Sequence, residues 1–158
     1  MPILGSRSLR WPDADACTAS AAALATRPGL ADAVIELHGP LGAGKTTFVR
    51  GLLRALGVVG PIKSPTYALL EPYEAMLGAQ PVAVSHFDFY RFDDPQEWED
   101  AGFRERFAMR GLKLVEWPEK AAGFLPVPDL RISIEPDANE GRDVRFDAET
   151  PIGASLLP

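Results

Sequence analysis

Residues 34–56, VIELHGPLGAGKTTFVRGLLRAL, decide how this chain is read. A short β-favouring run, Val34 to His38, stops at Gly39. From about Lys45 apolar residues recur at Phe48, Val49, Leu52, Leu53 and Leu56, the stripe of a helix packed on one face, and Gly57 supplies its stop. Between the two, Gly39, Gly44, Lys45 and Thr46 stand at the spacing G-x-x-x-x-G-K-[ST], in the strand, loop and helix context that a P-loop requires. Backbone N–H groups of such a loop converge on phosphates only if no Cβ intervenes, and the helix N-terminus adds its own pull on anions. Gly39, Pro40, Leu41, Gly42, Ala43, Gly44, Lys45, Thr46 and Thr47 are therefore the expected phosphate cradle. Lys45 supplies a point charge to phosphate, and the Thr46 hydroxyl a ligand to Mg²⁺. A plain Gly- and Pro-rich turn accounts for the loop alone; it does not account for the strand before it and the helix after it.

Two acids downstream acquire meaning from that loop. Val82 to Phe87 reads as a strand ending in Asp88, the Walker B arrangement, which brings a carboxylate to Mg²⁺ directly or through water. Leu112 to Val115 reads as another strand and delivers Glu116-Trp117-Pro118 at its end. If both strands neighbour the P-loop strand, Asp88 and Glu116 flank one metal-phosphate site, since open α/β sheets bind ligands at their strand ends. Glu116 is then a candidate for Mg²⁺ coordination or for orienting the attacking water, and Trp117 for a stacking or partner contact. The segment Lys63-Ser64-Pro65-Thr66 opens 61–73, whose apolar part reads as a strand. Two readings of it stand side by side: a capped turn, or a switch that senses the γ-phosphate. His86 reads as structural, and Arg91 as a contact to phosphate, to a partner or to a nearby acid.

The remaining chain frames these elements. Residues 12–26 read as an Ala-rich helix capped by Asp13 and stopped by Pro28-Gly29, close-packed on a neighbour; Trp11 fills a groove or sits near a base. Residues 74–81 read as a turn. Asp93 to Arg110 is helical in character, capped by Asp93 or Asp94 and divided at Gly102. Leu130 to Ile134 and Asp143 to Phe146 read as an antiparallel hairpin, and the apolar tail from Pro151 as a docking segment. The expected fold is α/β: a three-layer P-loop NTPase with a central, mostly parallel sheet flanked by helices and a C-terminal antiparallel hairpin.

Composition sets the outer bounds. The 158 residues are expected to form one domain, with 46% hydrophobic and 24% charged residues. Asp and Glu number 22 against 16 Lys and Arg, a net charge of -6, which is not the footprint of a protein that grips nucleic acid alone. The single cysteine, Cys17, excludes an internal disulfide and reads as a packing residue. No run of about 18 apolar residues is present and the start lacks a signal-peptide core, so a cytoplasmic address without a membrane is expected.

Neither Asn-Lys-x-Asp nor Asp-x-x-Gly occurs, which removes the GTPases. A small-molecule kinase with Arg104, Arg106 and Arg110 in a lid is one alternative, and a nucleotide-gated binding module without turnover another. The motifs LHGPLGAGKTTFVRGLL, KSPTYALLEPY, HFDFYR followed by DDP, and LVEWPEK occur in an order and spacing that resemble the TsaE family of bacterial ATPases, over about residues 34–129. The resemblance implies ATP with Mg²⁺, action on the complex of TsaB and TsaD in tRNA threonylcarbamoyladenosine formation, and tRNA reached only through those partners. It implies Gly39 to Thr47 as the cradle, Thr66 in a switch, Asp88 as the Walker B acid, and Glu116 at the metal or catalytic water beside Trp117. Lys45, Thr66, Asp88 and Glu116 are thus the expected catalytic set, with Thr46, Asp88 and Glu116 on the metal. One departure stands out: Pro40 occupies a position where the family commonly carries Asp. No cis arginine finger is evident, so slow hydrolysis by an isolated monomer is expected.

Overall fold

The computed structural model of the chain describes residues 2–65 and 68–158. Seven strands form one sheet: β1 (Gly5–Trp11), β2 (Val34–His38), β3 (Leu70–Leu77), β4 (Gln80–Asp88), β5 (Leu112–Glu116), β6 (Leu130–Pro136) and β7 (Arg142–Ala148), in the order β1-β7-β6-β2-β5-β4-β3. β6, β2, β5 and β4 run parallel at the centre. The pairs β1/β7, β6/β7 and β3/β4 are antiparallel. The sheet is therefore more mixed than the expected mostly parallel one, because each flank folds back on itself as a hairpin.

The apolar run of β2 sits where a buried central strand belongs: Ile35 and Leu37 are fully buried. They cluster with Leu112 and Leu114 of β5, Ile132 and Ile134 of β6, and the stripe Phe48, Val49, Leu52 and Leu53 of helix α2 (Lys45–Ala55). Helix α1 (Ala14–Leu24) lies on the same side, with Asp13 capping it through the Ala16 amide. Its alanines do admit a neighbour closely: a Cβ added at Gly51 of α2 would come within 3.4 Å of Ala21 Cβ. Alternate residues of β4 and β5, Phe87 and Val115, point to the other face. There they join an aromatic cluster with Trp98 of α3 (Pro95–Asp100) and Phe103 of α4 (Phe103–Ala108), separated by left-handed Gly102 as expected. That second helical layer is local. Over β6 and β7 the same face carries Arg131, Ser133, Arg145 and Asp147, all half-buried or exposed.

Two strands depart from the sequence reading. β1 had no expected counterpart, since GSRSLRW is polar; it pairs only with β7, at the sheet edge. Residues 74–81, expected as a turn, instead supply the end of β3, a turn at Gly78-Ala79 and the start of β4. β3 is also an edge strand, which tolerates Pro72 and exposed Glu74; Glu74, Gly78 and Pro81 gave residues 74–81 their turn-like look. The tail forms α5 (Pro151–Ser155), capped by Thr150, and buries Leu156 in the main core.

Register places the chemistry. Leu37, Glu116 and Asp88 lie level across β2, β5 and β4, so the loop after β2 and both acids share one C-terminal sheet edge.

Candidate active site

The loop leaving β2 folds as it does because three of its residues have no side chain. Gly39, Gly42 and Gly44 take φ values of 152°, 79° and 109°. At Gly39 a Cβ would also strike the Ile134 carbonyl oxygen. Gly44 precedes α2 without a capping side chain, so the first-turn amides of that helix keep their donors for an anion. The Pro40 carbonyl accepts from the Ala43 amide at 3.1 Å, closing a turn within the loop.

Around this loop lies a cleft of about 310 Å³ bordered by residues 41–47, Ser64, Asp88, Tyr90, Glu116 and Trp117. Lys45 is 5% exposed; its Nζ donates to the Gly39 carbonyl and lies 3.6 Å over the Trp117 ring. Burial lowers the Lys45 pKa, partly offset by Glu116, Glu119 and Asp88. The Thr46 hydroxyl donates to Glu116 Oε1 at 2.9 Å and accepts weakly from Ser64, which leaves it a lone pair for a cation. Glu116, 2% exposed, is held at its other oxygen by His86 Nε2 at 2.6 Å. Asp88 sits beside it and accepts the Tyr90 amide at 3.0 Å. Burial raises the Asp88 carboxyl above its ordinary value and Glu116 adds to the rise, while the Tyr90 N–H and Lys45 oppose it. Ser64 reaches toward Thr46, 3.5 Å between hydroxyl oxygens. Asp88, Glu116 and Thr46 are hard oxygen donors too few to enclose a cation, the set that suits Mg²⁺ sharing its shell with phosphate.

The structure thus brings Lys45, Thr46, Asp88, Glu116 and Trp117 together as the sequence reading requires. Thr66 lies outside the described residues. Arg91 borders a smaller depression with Ser64, Pro65, Asp88 and Tyr90. The arginines of the kinase alternative are elsewhere: Arg104 pairs with Glu99, Arg106 donates to Ser85, and Arg110 borders a groove with Asp32 and Gln80.

Two residues hold contacts that the sequence reading did not anticipate. Arg142, on β7, donates through Nε to the Ala43 carbonyl at 2.8 Å and so ties the loop to the C-terminal hairpin. It also borders a second cleft, about 140 Å³, with Trp11, Asp13, Cys17, Glu140 and the loop residues Ala43, Gly44 and Thr47. Trp11 is fixed there by stacking on Phe48 and by an indole N–H bond to Ser20, so it is a packing residue that also borders the loop. The second residue is His86, read from sequence as structural. No local spacing signals either one, since their partners lie 99 and 30 residues away.

Comparison with known proteins agrees with this geometry. Residues 11–144 match the family described as threonylcarbamoyl adenosine biosynthesis protein TsaE. The tRNA threonylcarbamoyladenosine biosynthesis protein TsaE of Haemophilus influenzae is 40% identical over 124 residues, covering 78% of this chain and 75% of that one. The Bacillus subtilis protein of the same name is 35% identical over 146 residues, 90% and 87% of the two chains. The crystal structure of Bacillus subtilis YdiB superposes with a TM-score of 0.73 at 28% identity, over 99% of this chain and 93% of the other. With a family match across most of its length and relatives of this identity, the chain belongs to the TsaE family of threonylcarbamoyl adenosine biosynthesis proteins.

Proposed function

We propose that this protein binds ATP with Mg²⁺ on the 39–47 loop, hydrolyses it to ADP and phosphate, and does so in the service of the TsaB–TsaD complex during tRNA threonylcarbamoyladenosine formation. The observation that carries the proposal is the chain of contacts from the loop to the sheet edge: buried Lys45, then Thr46 bonded to Glu116, with Asp88 level beside it.

The two clefts on either side of the loop support one direction for the nucleotide. The larger, with both acids, takes the γ-phosphate end; the smaller, bordered by Trp11, Asp13 and Cys17, takes the nucleoside, and Ala43, Gly44 and Thr47 belong to both. Lys45 trades the Gly39 carbonyl for phosphate oxygens, and the α2 amides add their dipoles to the charge that develops on them. Thr46 and Asp88 would hold Mg²⁺, which would supply charge neutralisation at the phosphates. Thr46 keeps donating to Glu116 while offering a lone pair, so Glu116 stands behind the metal ligand and is free to orient the attacking water. The acidic net charge supports leaving tRNA to the partners.

Phosphate release from ATP, measured with and without TsaB and TsaD, tests the reading. Slow release alone and a changed rate in the complex are expected, both abolished by Lys45→Ala. No release in either setting, or transfer of label to a small acceptor, would overturn it.

A further inference from the structure

His86 stands on β4 opposite Leu114 of β5, on the face where Val84, Leu112 and Leu114 form the main core. It is fully buried, yet among the described residues only one of its ring nitrogens finds a partner: Nε2 meets Glu116 Oε2 at 2.6 Å, and Nδ1 meets none. An apolar residue would fill this place without leaving a polar atom orphaned, so a need for packing alone does not explain an imidazole here. The distinctive thing it offers is a donor on a short, rigid arm.

The recipient of that donor is the carboxylate on which the site turns. The last torsion of a glutamate is broad and roughly two-fold, and a single hydrogen bond leaves the group free to swing. Glu116 is pinned at both ends instead, Oε1 by Thr46 from the loop helix and Oε2 by His86 from the neighbouring strand. Two bonds from two elements fix both the plane of the carboxylate and the oxygen presented to the cleft. We propose that His86 is a positioning residue: it holds Glu116 in the orientation that keeps Oε1 on Thr46 and aimed at the phosphate cleft. The proposal rests on the role given to Glu116 above.

Four variants test it: His86→Leu, which removes the donor; His86→Gln, whose amide nitrogen reaches the place of Nε2; Glu116→Gln; and the double variant His86→Leu/Glu116→Gln. In the complete complex His86→Leu should lower kcat about 10- to 100-fold, the loss typical of a supporting hydrogen bond at a site, with KM for ATP and ADP affinity little changed. His86→Gln should recover most of that loss, and the double variant should be no slower than Glu116→Gln alone. In the free protein, an independent readout is the His86 Nε2–H resonance, expected to be protected from exchange and displaced in Glu116→Gln but not in Lys45→Ala.

Full activity in His86→Leu, failure of His86→Gln to rescue, multiplicative losses in the double variant, or a resonance indifferent to Glu116→Gln would each overturn the proposal. Should His86→Leu fail to fold, His86→Gln and the resonance still decide. A Glu116→Gln variant with undiminished hydrolysis would instead remove the role of Glu116 itself, and this proposal with it.

Discussion

The ammonium of Lys45 rests 3.6 Å above the ring of Trp117, on a residue whose backbone is left-handed at φ 55°. A non-glycine residue takes that conformation at a cost of about 1–3 kcal/mol, and here it turns the indole from the end of β5 onto the loop. Trp117 also meets Tyr90, ring centroids 4.9 Å apart. The indole therefore stabilises a charge that phosphate is expected to take over, a contact worth about 0.5–2 kcal/mol.

That exchange should be visible. Trp11 and Trp98 are buried, at 3% and 2% exposure, and lie off the Lys45 ammonium, so Trp117 is the tryptophan whose surroundings change when Lys45 moves. Inorganic triphosphate, which has no nucleoside to reach Trp11, should shift the intrinsic fluorescence of the wild type, and Trp117→Phe and Lys45→Met should each abolish the shift. A shift that survives in Trp117→Phe would mean that phosphate leaves the Lys45–Trp117 contact in place.

Asp88 carries a stability cost of a definite sign. Its carboxyl is raised by burial, so the folded state disfavours the ionised form. Stability from this group is complete below the ordinary carboxylate value of about 3.9 and is lost as pH rises through the raised one. At neutral pH Asp88→Asn should therefore melt at a higher temperature than the wild type, with the difference shrinking toward pH 4. Hydrolysis should fall about 100-fold or more in the same variant, as for loss of a group that supports charge stabilisation. Thermal melts at the two pH values check the sign; a variant that melts lower at neutral pH would contradict it.

Cys17 tests the nucleoside cleft. Burial pushes its thiol up to about 11, so at pH 8 the reactive thiolate is on the order of one part in a thousand. Alkylation of the native protein should be slow and should become rapid on unfolding. Because Cys17 borders the smaller cleft, Cys17→Leu should narrow it and weaken ATP about tenfold, while inorganic triphosphate binds as before. Equal weakening of both ligands would place the nucleoside elsewhere.

What the sequence made legible is what depends on spacing along the chain. The loop from Gly39 to Thr46, the stripe of α2, the Asp13 and Asp94 caps and the Gly102 break are all set by neighbours within a turn or two. β1 and the second half of β3 were illegible because an edge strand need not be apolar: Arg7 and Ser8, or Glu74 on the way to Gly78, read as loop until β7 and β4 supply their pairing. The site divides along the same line. Asp88 and Glu116 announce themselves at the ends of apolar strands, whereas His86 and Arg142 gain their roles only when the sheet brings remote segments together.

Arg142 is the sharper of those two cases, because its bond to the Ala43 carbonyl fastens a loop that is otherwise shaped by glycines. Its NH1 also donates to the carbonyls of Glu140 and Gly141, so the guanidinium is braced by its own turn before it reaches across. A hydrogen bond from a charged group contributes about 1.5–3 kcal/mol when buried and less at this half-exposed position. Arg142→Ala should therefore leave the fold intact but free the 40–44 segment, speeding amide exchange there and weakening ADP about 3- to 10-fold through the ordering that binding must then supply. Arg142→Lys should not rescue, since a lysine lacks the fork that holds three carbonyls at once. Amide exchange and ADP titrations on both variants decide the matter: unchanged exchange at 40–44 in Arg142→Ala would show that the glycine loop holds its shape unaided.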